Sequence, residues 1–167
     1  MRIIKDGRIV EDGWRHLGDD QPIGEGAITL SLARWHRERE GLMNHPGPLG
    51  VRLAAEERPE ELVEDLGRLS LIVLDFASLR DGRSFSQARI LRERCGYAGE
   101  IRARGDFIRD QMFFLSRVGV NAFELADEQA LAGALPALND FSVIYQPAAG
   151  DSARAASAIS PSPRPRY

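Results

Sequence analysis

From Ala27 to Tyr145 short apolar runs of β type alternate with stretches of helical period, and this alternation leaves few folds open. Leu71 to Phe76, LIVLDF, is the clearest run, because a continuous apolar stretch is what a strand covered on both faces needs. Upstream, Ala27 to Leu30 leads into a helical stretch, Ser31 to Glu40. Leu49 to Leu53 leads into Pro59 to Leu69, where Leu62, Leu66 and Leu69 recur at i, i+4, i+7. Downstream, the pattern predicts a helix over Ser84 to Cys95, a strand over Glu100 to Arg104 and a helix over Phe107 to Val118. A strand over Ala122 to Leu125, a helix over Glu128 to Leu138 and a last strand over Ser142 to Tyr145 follow. Strand alternating with helix predicts the α/β class: a mostly parallel sheet of repeated βα units, either doubly wound or curled into a partial barrel.

One strand does not fit a sheet buried on both faces. In Glu100 to Arg104, Ile101 and Ala103 share one side while Glu100, Arg102 and Arg104 share the other. Three placements accommodate it: a sheet edge, a polar concavity, or carboxylates waiting across the sheet.

The two ends of the chain read differently. Lys5-Asp6-Gly7-Arg8 is a turn-type tetrapeptide between Ile3-Ile4 and Ile9-Val10, so Met1 to Glu11 predicts a hairpin. Asp12 to Gly26 reads as a loop in which Trp14 and His16 are the residues able to pack back on the body. Residues 146–167 are rich in Pro, Ser, Ala and Arg without apolar period, and a disordered tail is expected after a single domain over residues 1–145.

Charge and composition narrow the function. The chain is 167 residues with a formal net charge of -3 and a pI near 5.7, which argues against nucleic acid as the main partner. No apolar run approaches a membrane span and the start lacks an apolar signal region, so no membrane role and a cytoplasmic location are expected. Cys95, the one cysteine, leaves no disulfide, CxxC pair or cluster within one chain. It reads as helix-end packing beside Gly96 rather than as a nucleophile. His16, His36 and His45 show no ligand spacing, so no metal is expected. With no GxGxxG, P-loop or GxSxG, no cofactor is expected either.

Against the acidic whole, Arg80 to Gln111 is dense in arginine. Fixed guanidinium forks interrupted by glycines suit a carboxylate, sulfate or phosphate oxyanion. Arg83 opens the helix after LIVLDF, Ser84 and Gln87 have capping-box spacing, and Arg89 and Arg92 lie off the buried side. Arg104-Gly105-Asp106 repeats the strand-to-helix junction, with Gln111 one turn in. Arg83, Ser84, Arg89, Arg104 and Gln111 are therefore the candidate anion ligands, and Asp81 and Asp106 the candidate acids or bases. A solvated basic face is the competing explanation.

Phe76 to Leu125 also resembles a known family. The pattern is carried by Asp81-Gly82-Arg83, Phe85-Ser86, Ala88-Arg89, Leu91-Arg92-Glu93-Arg94, Gly96-Tyr97, Gly99-Glu100, Arg102-Ala103, Gly105-Asp106 and Arg109-Asp110-Gln111. Upstream, Leu32 to Trp35 and Leu49 to Leu53 add to it. The sequence is similar to a bacterial family of unknown function whose members are described as oxidoreductases involved in sulfite reduction. It departs at Leu79-Arg80, before Asp81, and at Val118, where many relatives carry cysteine. The resemblance implies a part in assimilatory sulfite reduction, with sulfite reductase as a partner. From the residues and the resemblance together three roles are expected as alternatives: an accessory protein that delivers an oxyanion or docks on the reductase, a small α/β enzyme acting on an anionic metabolite, and a purely structural partner. Homo-oligomerisation is left open.

Overall fold

In a computed structural model that describes residues 1–76, 82–105 and 109–138, the chain opens with the expected hairpin. Strands β1 (Arg2–Lys5) and β2 (Arg8–Glu11) pair antiparallel around Asp6 and Gly7, both at positive φ (48° and 72°), the conformation a two-residue turn requires. The remaining strands are β3 (Arg15–His16), β4 (Ile28–Ser31), β5 (Leu49–Leu53), β6 (Leu69–Phe76), β7 (Glu100–Gly105) and β8 (Ala122–Leu125). Helices α1 (Leu32–Glu38), α2 (Arg83–Arg89), α3 (Arg109–Arg117) and α4 (Leu131–Ala134) complete the elements used below. β3 is a two-residue strand inside the segment read from sequence as a loop.

All eight strands form one sheet in the order β2-β1-β8-β7-β6-β5-β4-β3. It is mixed rather than mostly parallel: β3 to β8 pair parallel in chain order, while the hairpin joins antiparallel to itself and to β8. A doubly wound sheet reverses its strand order at a switch point, and this one does not. Instead it curls. Only Asp12, Gly13 and Trp14 separate β2 from β3, which lie at opposite ends of the strand order. Those three residues reach about 14 Å, whereas a flat eight-stranded sheet is ~34 Å across. The sheet therefore bends into a half-barrel that brings its two edges towards each other.

The two faces of the curl differ in chemistry. Outward, Ile28, Leu30, Val51, Leu53, Ile72, Leu74, Ile101, Ala103 and Phe123 join one buried core with Leu32 and Trp35 of α1, Ala88 of α2 and Met112 and Leu115 of α3. Inward, the alternate positions of the same strands carry Thr29, Arg52, Asp75, Glu100, Arg102, Arg104 and Glu124. β7 lies between β6 and β8, so of the three placements open to it the edge is excluded. It faces a polar concavity, and its arginines meet carboxylates there.

Three expected helices depart from their sequence reading. Pro59 to Leu69 forms two short 3₁₀ turns, Pro59–Leu62 and Leu66–Arg68, because Gly67 interrupts the period and Leu69 is taken by β6. Glu128 to Leu138 breaks into 3₁₀, α and 3₁₀ pieces, the last of them holding Pro136, which lacks an N–H to donate. After α2 the chain widens into a π-helical turn, Ile90–Arg94, with Cys95 N donating to Ile90 O. The wide turn swings Arg92 inward, although the helical period places it off the buried side. Its guanidinium donates to the carbonyls of Tyr97, Gly99 and Gly119 and to Asn121 Oδ1. The expected strand over Ser142 to Tyr145, the domain boundary at residue 145 and the tail lie outside the described residues.

Candidate functional site

Four parallel strands each place a charged side chain one residue before their carboxyl end: Arg52, Asp75, Arg104 and Glu124. Register aligns three of them, since Asp75 pairs with Arg104 and Arg104 with Glu124. Curling turns this row into the rim of the concave face. In barrels built of βα units, that rim is where side chains from several strands converge on a ligand.

At the rim Arg104 donates from Nε to Asp75 Oδ1 at 2.7 Å, both side chains being about one-third exposed (33% and 30%). The two terminal NH₂ groups of Arg104 have no hydrogen-bond partner among the described residues. Arg52 is fixed behind it, with Nη1 donating to the carbonyl and hydroxyl of Thr29 and Nη2 to the Leu17 carbonyl. Burial, and after it the positive charge of Arg104, push the Arg52 guanidinium down from its ordinary value. Asp75 thus bonds Arg104 and reaches Arg52 through its charge.

Deeper in the concavity lies a closed ionic network. Arg102, 1% exposed, donates from Nη1 to Asp12 Oδ2 (2.9 Å) and Glu124 Oε2 (3.2 Å), from Nη2 to Asp12 Oδ1 (3.1 Å), and from Nε to Glu100 Oε1 (2.9 Å). Lys5 Nζ lies 2.7 Å from Glu100 Oε2. Burial works against the charge of Arg102, but Asp12 and Glu100 outweigh it and raise the guanidinium above its ordinary value. His16 from β3 reaches across to Glu124 of β8 at 2.9 Å and to Thr29 Oγ1 at 2.6 Å. Burial would raise the Glu124 carboxyl, yet His16 and Arg102 together hold it below the usual range. An ionised Glu124 only accepts, so His16 Nε2 is the donor to it.

Asp12, His16 and Glu124 also offer donor atoms within 4.8 Å of one another. The position a cation would take among them is filled by the Arg102 guanidinium, which bonds both carboxylates. Among the described residues a guanidinium, not a shared proton, bridges the two carboxylates.

The model of a family described as bacterial proteins of unknown function, DUF934, matches residues 50–155. The chain belongs to that family. No curated protein matches it. The DUF934 match spans all four rim residues and Arg102, whereas Asp12, His16 and Thr29 lie before it.

Of the ligands expected from sequence, Arg104 stands on this rim and Arg83 opens α2 after the carboxyl end of the neighbouring strand β6. Ser84 is buried against the same strand, its Oγ 3.5 Å from the Asp75 carbonyl. The capping box does not form. Gln87 instead donates to the carbonyls of Ala54 and Glu57, tying α2 to the loop after β5. Arg89 faces outward, paired with Glu93, and Gln111 is half-buried on α3. Asp81 and Asp106 lie outside the described residues. Cys95 is half-buried, and burial pushes its thiol up, as packing rather than nucleophilic chemistry requires.

Sequence reasoning passed over Arg52, Asp75, Glu124, Asp12 and His16 as site residues. A signal for the first three was present: each is a lone charge near the end of an otherwise apolar run, LGVRL, LIVLDF and AFEL.

Proposed function

We propose that this DUF934 protein binds a small oxyanion at the carboxyl rim of its half-barrel and serves assimilatory sulfite reduction as an accessory protein, delivering the anion or docking on sulfite reductase. The observation that carries the reading is Arg104, whose two terminal NH₂ groups stand at the rim without a partner among the described residues. Coplanar N–H groups match the paired oxygens of sulfite, sulfate or a phosphate, and Arg52 behind them adds a second positive charge. The link to sulfite reduction rests on the resemblance carried by Phe76 to Leu125, and a place in the cytoplasm fits that role.

An oxyanion bound there stabilises the native state by mass action, about 2.7 kcal/mol at a hundredfold excess over its dissociation constant. Thermal unfolding with sulfite, sulfate, phosphate and an adenine nucleotide at matched ionic strength measures the shift. Arg104→Gln should abolish it and change the unliganded melting temperature little, because the Arg104–Asp75 pair is partly solvated. No shift for any anion, or a shift that survives Arg104→Gln, removes the site. A deletion strain should grow on sulfide but poorly on sulfate and sulfite; equal growth on all three excludes the sulfur-assimilation role.

Asp75 favours a second reading, a small enzyme acting on an anionic metabolite. A carboxylate beside two guanidinium groups could exchange a proton with a ligand they hold. Turnover of such a metabolite, lost in Asp75→Asn, would distinguish it.

A further inference from the structure

Where the two sheet edges approach each other, at the amino ends of the parallel strands and so opposite the rim, the half-barrel leaves a cleft of about 360 Å³. Its walls are apolar: Ile3 and Val10 from the hairpin, Trp14 from the crossing segment and Pro48 ahead of β5. Its floor is charged, formed by Lys5, Asp12, Glu100 and Arg102. Two cations and two carboxylates are paired there, Arg102 also holding Glu124, and the charge of Glu11, which also lines the cleft, is 80% exposed and screened by water.

Most of that floor has no hydrogen-bonding capacity to spare. Arg102 uses all three nitrogens on Asp12, Glu100 and Glu124. Both oxygens of Glu100 are engaged, one by Arg102 and one by Lys5. Lys5 differs. Its ammonium carries three N–H donors, Glu100 is its partner among the described residues, and its side chain is 42% exposed. It is also the one lysine in a chain whose other fixed cations are arginines.

We propose that the cleft binds a small planar molecule without net charge, its aromatic or heteroaromatic body against Trp14 and an amide or carbonyl oxygen accepting from Lys5 Nζ. The apolar walls favour a flat hydrophobic body, and an indole face is a good surface to stack on. A floor whose charges are already paired with one another gives a charged head group no compensation for its lost hydration. A single oxygen suits lysine, a point donor, where arginine would select a bidentate anion. This site is separate from the oxyanion rim and does not depend on it.

The test uses the full chain and three probes that share a ring but differ in head group: benzamide, benzoate and benzylamine. Trp14 and Trp35 are the two tryptophans, and Trp35 is buried at 1% exposure, so a saturable change in emission on titration reports Trp14. Benzamide is expected to bind tightest of the three. Lys5→Met should weaken it at least tenfold, and Trp14→Phe should remove the optical signal. A second readout needs no variant: because Lys5 is the one lysine, its reductive methylation is told apart from that of the Met1 amine by fragment mass, and benzamide should slow it. The proposal is overturned if no probe gives a saturable change, if benzoate or benzylamine binds as tightly as benzamide, or if benzamide leaves Lys5 methylation unprotected.

Discussion

Glu124 shows at the scale of one residue how the concave face is held together. Burial alone would make its carboxyl harder to ionise, yet His16 and Arg102 bring it below its ordinary 4.5. A carboxyl whose folded pKa lies below its unfolded one contributes stability above the unfolded value and loses it as pH falls through the folded value. Glu124→Gln should therefore be less stable than wild type at pH 7, and the gap should be smaller at pH 3, because the carboxyl loses its charge as pH falls through its lowered pKa. Urea unfolding at the two pH values measures the gap, and a gap of equal size at both would show that charge is not what Glu124 contributes. Little of this was legible from sequence. Glu124 and His16 are 108 positions apart, and nothing local to AFEL names the imidazole it meets.

Elements were more legible than the site, because period and turn chemistry are local. The Asp6-Gly7 hairpin, LIVLDF, and the strands Leu49–Leu53 and Ala122–Leu125 stand where their patterns place them. Inward charges on Glu100, Arg102 and Arg104 already limited β7 to a few placements. What failed were helices whose period ran past a breaker, as at Gly67 and Pro136, and the side of the helix assigned to Arg92. No helical period foresees a π turn. Arg92→Ala should cost about 2–4 kcal/mol, since one half-buried cation donates to three carbonyls and a side-chain amide. Arg89→Ala, three residues earlier on the exposed side, should cost less than about 1 kcal/mol. Guanidinium chloride unfolding of the pair checks the contrast; equal losses would mean that the inward turn of Arg92 does not matter to stability.

For the molecule as a whole, Arg102 is the tie between its middle and its edges. It sits on a central strand and grips Asp12, the first residue of the segment that crosses from one sheet edge to the other. Truncating it leaves three carboxylates facing one another in a closed space, a loss of about 3–5 kcal/mol. In Arg102→Ala, hydrogen exchange should accelerate most at β1, β2 and β3, while β5 and β6, held between parallel neighbours, keep their protection. Uniform acceleration across the sheet would count against a role specific to the edges.

The crossing at Asp12 to Trp14 also has a consequence in time. β1 pairs with β8, Asp12 with Arg102 and His16 with Glu124, so besides their local partners in β2 and β4 the first sixteen residues meet residues about a hundred positions later. Contacts so distant along the chain are closed late and slowly, after the local hairpin and the sequential βα units have formed. During synthesis the hairpin leaves the ribosome well before Phe123, the residue it pairs with on β8. The hairpin should therefore be the last part of this half-barrel to dock, and pulsed hydrogen exchange during refolding checks that order.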